Sequence, residues 1–259
     1  MYKRQVGVLK TLAMALQFLT RFYVYRGEFD EAAYGRAPVF FPLVGLLMGA
    51  VWLLLYLGLR SLFPPAVTAA LLVVGMVVMS GGLHLDGFMD TMDGVFSGRP
   101  GKQMLEIMRD SRVGAFGVLG LACLMLLKFS LLCSLPGDTL RRILPVIPAL
   151  SRWGMVYAIV CFPYARPQGL GLLQKRYTGR KELALATLLA GAAASVGGPG
   201  GWIMLSVSLL VTHWMALLLV RLLGGLTGDT YGAINETLEV LLLLLAFPLY
   251  DLLPVTFWF

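Results

Sequence analysis

The sequence predicts an all-α fold: a polytopic membrane helical bundle of about seven transmembrane helices, preceded by an amphipathic interfacial helix. Hydrophobic residues make up 58% of the 259-residue chain and charged residues only 14%, and the mean hydropathy is +0.80. Soluble domains carry about 25% charged residues, so this composition is typical of an integral membrane protein. A third observation is a series of apolar segments near the roughly 20 residues that a helix needs to cross a bilayer.

The apolar segments follow one another with short connections, so we expect a single catalytic domain over residues 1–259. Before residue 38, apolar residues recur among polar ones, as in a helix that lies on the membrane surface. The double proline at 64–65 and the glycines between 197 and 201 predict tight turns between spans. The fifth span is short and rich in alanine and glycine, which is typical of a helix that packs internally or tilts. The candidate spans are residues 38–58, 65–85, 113–135, 143–162, 183–198, 201–223 and 238–257.

Basic residues are unevenly divided between the two sets of loops. Sixteen of the 21 Lys and Arg residues fall in loops on the N-terminal side of the predicted bundle, and three fall in loops on the other side. The positive-inside rule then predicts a cytoplasmic N-terminus, and an odd number of spans puts Phe259 outside the cytoplasm. The basic charge thus has a topological cause, and we expect no nucleic-acid partner. This orientation places residues 86–112, 166–181 and 229–236 together at the cytoplasmic face.

The most informative motif lies at residues 81–94, which read G-G-L-H-L-D-G-F-M-D-T-M-D-G. In a helix, Asp86, Asp90 and Asp93 occupy one stripe because they are four and then three residues apart. Three like charges on one stripe repel each other unless a cation neutralises them. Oxygen ligands without neighbouring thiolates favour Mg²⁺, with Mn²⁺ as the alternative. The motif therefore predicts a divalent-metal site at a membrane surface.

Two later segments carry polar residues that are expected to join this site. Asp110 is a candidate fourth carboxylate, although a structural ion pair with a neighbouring arginine is the alternative. Arg109 and Arg112 are candidate substrate-binding residues because the planar guanidinium suits phosphate oxygens. The glycine-rich segment 224–239 adds two expected metal ligands and one expected substrate-binding residue, which are Asp229, Glu236 and Asn235.

Four further residues have both a functional and a structural interpretation. His84 is a candidate metal ligand or general base, and the alternative is a histidine whose ring is hydrogen-bonded to a backbone carbonyl. Arg152 lies in an apolar span and needs either a substrate phosphate or a carboxylate partner. Lys175 and Arg176 belong to a basic cluster that either binds an anionic substrate or serves as a topology and lipid-headgroup signal.

The motif at 81–94, together with D-S-R-V-G-A-F-G at 110–117, resembles the signature of the cobalamin-5′-phosphate synthase family, also called adenosylcobinamide-GDP ribazoletransferases. Other segments extend the resemblance over most of the chain in the same order. Met89 and Met92 stand where smaller residues are expected between the aspartates, which affects local packing more than chemistry. The additional segments are Q-F-L-T-R at 17–21, F-F-P-L-V-G at 40–45, P-A-L-S-R-W at 148–153 and L-T-G-D-T-Y-G-A-I-N-E at 226–236.

The resemblance implies a multi-span enzyme of the inner membrane that acts late in vitamin B12 assembly and uses Mg²⁺. It implies that adenosylcobinamide-GDP is joined to α-ribazole or its 5′-phosphate, with release of GMP. A ribose hydroxyl would attack the phosphorus attached to cobinamide, while arginines hold the non-bridging oxygens. The partners are then these two substrates and the lipid bilayer, and the oligomeric state is left open.

Two alternatives come from other functional classes. The array D-G-x-x-D-x-x-D-G also resembles CDP-alcohol phosphotransferases of lipid synthesis, but the A-R of their usual signature is absent. A cation or phosphate transporter is the second alternative. A transporter should carry acidic residues at midplane depth in several spans, whereas here they are expected to gather at one face.

Overall fold

The computed structural model describes residues 7–252, with side chains up to residue 249, so the predicted position of Phe259 lies outside the described residues. Within that range the protein has twelve α-helices, a short 3-10 turn at Ala37–Phe40 and no β-strand, which confirms the predicted all-α fold. The helices are α1 (Val8–Leu19), α2 (Glu31–Arg36), α3 (Phe41–Leu59), α4 (Pro65–Ser80), α5 (Leu83–Phe96), α6 (Gly101–Ile107), α7 (Ala115–Ser134), α8 (Gly137–Cys161), α9 (Leu170–Tyr177), α10 (Arg180–Val196), α11 (Gly198–Leu223) and α12 (Gly228–Leu252).

Five helical segments of the described chain are long and apolar enough to cross a membrane, which confirms a membrane bundle with fewer clear spans than predicted. The first runs from α2 through α3, and the others are α7, α8, α11 and α12. A sixth span results if α4 and α5 are counted together. The fifth predicted span corresponds to α10, whose 17 residues are fewer than a typical crossing requires.

Two consecutive glycines break the second predicted span. Helix α4 ends at Ser80, and Gly81 and Gly82 both have left-handed backbone conformations, with φ of 65° and 73°. Glycine reaches this region without the steric cost that a Cβ imposes. Helix α5 then leaves at 92° to α4. The acidic motif therefore lies on a helix that turns away from the preceding span.

Helix α8 lies at the centre of the bundle, with nearly all of its residues between 139 and 159 buried. Its closest partner is α3, which meets it through two glycines. A Cβ on Gly45 would lie 2.6 Å from the carbonyl carbon of Pro148, and one on Gly49 would lie 2.6 Å from the Cα of Pro145. Small residues let membrane helices approach this closely, so packing of the two backbones holds α3 against α8.

The contact between α5 and α12 positions the acidic motif. A Cβ on Gly87 would lie 2.8 Å from the Cα of Asp229, and one on Gly232 would lie 3.1 Å from the Cα of His84. Helix α12 begins at Gly228, earlier than the predicted boundary at residue 238. Much of the glycine-rich segment that was predicted to lie between two spans is therefore helix, and Gly232 within it packs against α5.

The predicted amphipathic segment before residue 38 consists of two helices with an extended stretch between them. Helix α1 buries Met14 and Leu19 in the core and leaves Val8 exposed at its start. The ring of Phe18 stacks on that of Phe41, with centroids 5.7 Å apart. The end of α1 is thereby fixed against the start of α3, next to the bend between α4 and α5.

Candidate active site

Two aspartates of α5 have carboxylates without a hydrogen-bond or ion-pair partner among residues 7–249. Asp86 is exposed and Asp90 is half-buried, on successive turns of the same helix. Neither carboxylate accepts a hydrogen bond or forms an ion pair with any described residue. Asp90 interacts electrostatically with Asp86, Asp229, Arg166 and Asp93, which places these charges around it. Carboxylates that are close together and unpaired are available to a cation.

An ion pair from two other segments completes this group. The Nη2 atom of Arg166 lies 2.7 Å from Oδ2 of Asp229, at the start of α12. The same nitrogen donates a 3.3 Å hydrogen bond to the carbonyl oxygen of Met108, in the loop after α6. Asp229 is thus brought to the two aspartates as the sequence predicts. Arg166 was not among the predicted site residues. Its segment, 166–181, was predicted to lie on the same face as the aspartates, and that placement could have identified it.

Backbone hydrogen bonds hold the loop that carries Arg166. The amide of Ala165 donates to the carbonyl oxygen of Leu226, and the amide of Leu226 donates to that of Pro163, both at 2.8 Å. Gly225 makes this contact possible, since a Cβ there would lie 2.7 Å from the Ala165 nitrogen. The three segments that the sequence predicts on one face therefore meet in the structure: α5, the loop after α8, and the start of α12.

Asp93 anchors the N-terminus of α7. Its Oδ2 accepts a hydrogen bond from the amide of Gly114 and its Oδ1 accepts one from that of Gly117, both at 2.8 Å. The first amides of a helix lack intrahelical partners and carry partial positive charge, so a carboxylate there is stabilising. Both oxygens of Asp93 are thus used in joining α5 to α7.

Asp110 and the two neighbouring arginines lie in an exposed loop. The guanidinium of Arg112 forms a bidentate pair with Asp110, with Nη2 2.6 Å and Nε 3.1 Å from Oδ2. Hydrogen bonds from Arg112 hold the pKa of the Asp110 carboxyl at about 2, so this group is ionised at any pH used for assay. Asp110 therefore forms the structural ion pair that was the alternative to its expected role as a fourth carboxylate of the site. Arg109 is exposed.

A buried ionic network joins α7, α8 and α12. The ammonium of Lys128 contacts Glu236 and lies 2.7 Å from Oε2 of Glu239. Nη1 of Arg152 lies 2.7 Å from Oε1 of Glu239, and the Asn235 amide is 3.4 Å from both glutamates. The carboxylate partner that Arg152 requires is therefore Glu239. Glu236, Arg152 and Asn235, which were expected at the metal or substrate, are part of this network.

This network corrects the expectation that the acidic residues gather at one face. Glu236 and Glu239 lie inside the apolar helix α12, within the span Gly228–Leu249. Two cations, Lys128 and Arg152, balance the two carboxylates, and all four side chains are almost fully buried. Charges inside a membrane bundle are normally paired in this way.

The remaining three candidates lie at other places in the fold. His84 is buried, and neither ring nitrogen has a hydrogen-bond partner among the described residues. It interacts electrostatically with Arg152, Glu239 and Lys128, so it belongs beside the buried network. Lys175 donates to the carbonyl oxygens of Ile159 and Val160 at 2.8 and 3.0 Å, which caps the C-terminus of α8. Arg176 is exposed on α9.

Comparison with known proteins identifies the family of this chain. The sequence model described as cobalamin-5-phosphate synthase matches residues 11–247. The chain belongs to this family.

A relative from Desulfitobacterium hafniense is 42% identical over 252 residues, covering 93% of this chain and 98% of that protein. Relatives from Desulforamulus reducens and Pseudomonas aeruginosa are 40% and 38% identical over 90% and 89% of the chain, and 94% and 95% of their own lengths. All three are named adenosylcobinamide-GDP ribazoletransferase. No solved structure is significantly similar to the chain.

In this member of the family, the carboxylates of the site suit a cation that is bound by the protein and by a substrate together. Among the described residues, no three His, Cys, Asp or Glu side chains are close enough to hold a metal ion by themselves. Mg²⁺, however, is usually held by one or two carboxylates together with substrate phosphates. Asp86 and Asp90, whose carboxylates form no hydrogen bond or ion pair with a described residue, meet that requirement. The residues present therefore fit a divalent cation that arrives with a phosphate.

Proposed function

We propose that this chain is an adenosylcobinamide-GDP ribazoletransferase that joins adenosylcobinamide-GDP to α-ribazole or its 5′-phosphate and releases GMP. Relatives that carry this name cover nearly the whole chain at up to 42% identity. The geometric observation that supports the proposal is the position of the unpaired Asp86 and Asp90 beside the Arg166–Asp229 pair. Carboxylates for a cation and a guanidinium for phosphate oxygens are the groups that transfer of a substituted phosphate requires.

Mg²⁺ is the proposed cofactor, with Mn²⁺ as the alternative. Asp86 and Asp90 would hold it, and Asp229 would contribute from α12. When bound, such a cation neutralises the diphosphate and stabilises charge on the leaving nucleotide. The electrostatic repulsion between Asp90 and its acidic neighbours supports this assignment, because a cation relieves it.

The chain's own residues would act mainly by positioning and electrostatics. A ribose hydroxyl of α-ribazole attacks the phosphorus attached to cobinamide, and its proton passes to a carboxylate of the site. The bond from that phosphorus to the bridging oxygen breaks, and its electron pair leaves with GMP. Arg166, held by Asp229 and by the Met108 carbonyl, would bind a non-bridging oxygen in this step. No covalent protein intermediate is needed.

The active face is proposed to be cytoplasmic, in the inner membrane. Loops at the end of the bundle that carries Asp86 and Arg166 also hold most of the basic residues of the chain, which has a net charge of +7. Basic loops favour the cytoplasmic side. A nucleotide-linked substrate made inside the cell would reach this face without crossing the bilayer.

A direct assay tests the proposed function. Purified protein in detergent is incubated with adenosylcobinamide-GDP, α-ribazole and Mg²⁺, and GMP and the joined product are quantified. We expect both products in equal amounts, and none when a chelator is in excess. Parallel reactions replace the donor with a CDP-linked lipid. GMP release in full chelator would contradict the metal assignment, and turnover of the CDP-linked lipid alone would contradict the reaction.

A further inference from the structure

A cavity beside Asp86 is lined by residues of α1, α4 and α5 and the turns that follow α1 and α4, and by none of α12. It has a volume of about 510 Å³ and lies between the end of α1 and the bend between α4 and α5. Ligand pockets in proteins commonly occupy about 300 to 1,000 Å³, so a nucleotide-sized group fits here. Its polar lining includes Gln17, Thr20, Arg21 and Asp86.

The fold holds Arg21 at this cavity. Its backbone amide donates a 2.9 Å hydrogen bond to the carbonyl oxygen of Met79, which ties the end of α1 to the end of α4. Its side chain passes over Gly81, where an added Cβ would lie 3.0 Å from the Arg21 Cγ. The hydroxyl of Thr20 fixes the turn by donating to the Leu16 carbonyl oxygen at 2.6 Å. Arg21 is thus placed by the same glycine bend that directs α5.

The charges of Arg21 and Asp86 in this cavity are uncompensated within the part of the chain that the structure describes. The guanidinium of Arg21 forms no hydrogen bond or ion pair with any described residue, and the same is true of the Asp86 carboxylate. Gln17 adds polar character, with its Oε1 accepting a hydrogen bond from the Tyr25 amide at 3.0 Å. A phosphate that carries a divalent cation would satisfy both charges, since its oxygens suit the guanidinium and its cation suits the carboxylate.

We infer that this cavity binds the diphosphate of the nucleotide-linked donor, with Arg21 as a phosphate-binding residue. The inference rests on the proposed function and assigns a side of the site to each substrate. The donor lies between Arg21 and Asp86, and the acceptor approaches from the side of Arg166 and Asp229. In this arrangement Asp86 lies between the two substrates, where the cation is required.

Steady-state kinetics of two arginine variants test the assignment. Arg21→Ala removes the phosphate-binding group, and Arg26→Ala is the matched control because Arg26 is exposed in the same extended segment and does not line the cavity. We expect Arg21→Ala to raise KM for adenosylcobinamide-GDP by at least about tenfold and to leave KM for α-ribazole, which has no phosphate, within about twofold. Arg21→Lys, which retains charge without the planar fork, should be intermediate.

A binding measurement covers the case in which Arg21→Ala turns over too slowly for kinetics. Titration of the detergent-purified protein with GDP in the presence of Mg²⁺ should show at least about tenfold weaker affinity in Arg21→Ala than in Arg26→Ala. Equal GDP affinity in the two variants would overturn the inference. Equal affinity is also the result expected if the cavity binds a lipid phosphate in place of the donor. A rise in KM for α-ribazole instead of the donor would also overturn it. Failure of the wild-type protein to release GMP would contradict the proposed function separately, and the GDP titration would still test the cavity.

Discussion

Asp90 lies among charged side chains from three segments of the fold. It is half-buried and interacts electrostatically with Asp86 on its own helix, with Asp229 on α12 and with Arg166. A group in this position would act on both the proposed cation and a bound phosphate, whereas Asp93 is used in anchoring α7. Among the three aspartates of the motif, charge at Asp90 should therefore matter most for turnover.

Replacing Asp90 by Asn keeps the shape of the side chain and removes its charge. We expect turnover to fall by about a hundredfold or more while the protein stays folded, because loss of one preorganised charged group has effects of that order. GMP release at several Mg²⁺ concentrations measures the effect, and melting in detergent verifies the fold. Asp138→Asn is the matched control, since Asp138 is an exposed residue paired with Arg141. Wild-type turnover of Asp90→Asn at limiting Mg²⁺ would rule out Asp90 as a ligand.

The roles of single residues were only partly predictable from sequence. The spacing of Asp86 and Asp90 predicted a shared stripe, and the structure leaves both carboxylates unpaired on one helix. The same spacing could not show that Asp93 reaches the amides of Gly114 and Gly117. That contact depends on how α7 packs, and spacing within one helix carries no information about a neighbouring helix.

At the scale of helices, the network of Lys128, Glu236, Glu239 and Arg152 fastens α12 to α7 and α8. Such networks are costly to break because removal of one ion leaves another charged and unpaired in the bundle. The network lies on the same helix as Asp229, so it also fixes the depth and rotation at which α12 presents that residue to α5.

Lys128→Met should therefore destabilise the protein by about 3–5 kcal/mol, the usual cost of breaking a buried ion pair. Thermal or denaturant unfolding in detergent measures the loss, and Lys102→Met, on the short helix α6, is the control. The double variant Lys128→Met with Glu236→Gln should recover part of the stability because it removes an unpaired carboxylate. If Glu236 were instead a metal ligand, Glu236→Gln alone would weaken Mg²⁺ activation without changing the melting temperature.

The helix boundaries show where sequence patterns suffice and where they do not. The apolar stretch that includes residues 65–80 predicts α4 correctly, but apolarity alone cannot locate its end because Leu83 and Leu85 continue the pattern. The glycine pair Gly81–Gly82 could have predicted the bend from the sequence. The last span was predicted to begin at residue 238, after the glycine-rich segment, whereas α12 begins at Gly228 and Gly232 permits contact with α5. Whether a glycine ends a helix or lies at a helix contact depends on whether another helix packs against it.

At the scale of the whole molecule, the convergence of α5, the loop after α8 and the start of α12 requires that all three lie on one side of the membrane. The distribution of basic residues predicts that this side is the cytoplasm. The sequence therefore predicted the convergence, although it assigned more spans than the described helices clearly support.

Cysteine labelling tests the orientation. Single cysteines replace three exposed residues at this end, Arg99, Gln168 and Gly228, in a background from which the native cysteines are removed. We expect an impermeant maleimide to label none of them in intact cells and all of them after permeabilisation. Ser61→Cys, in the exposed turn between α3 and α4, is the control that should react in intact cells. Labelling at any of the first three positions in intact cells would reverse the orientation.

The close packing of Gly87 against Asp229 also bears on how the protein matures. Translation delivers α5 in the first half of the chain, whereas α12 is the last described helix to leave the ribosome. Until α12 arrives, Gly87 has no Asp229 to pack against, and Asp90 lacks one of its charged neighbours. A nascent chain that is already inserted in the bilayer therefore lacks the Asp229 side of the proposed active site. The proposed site would then become complete only when α12, the last of the described helices, docks against α5.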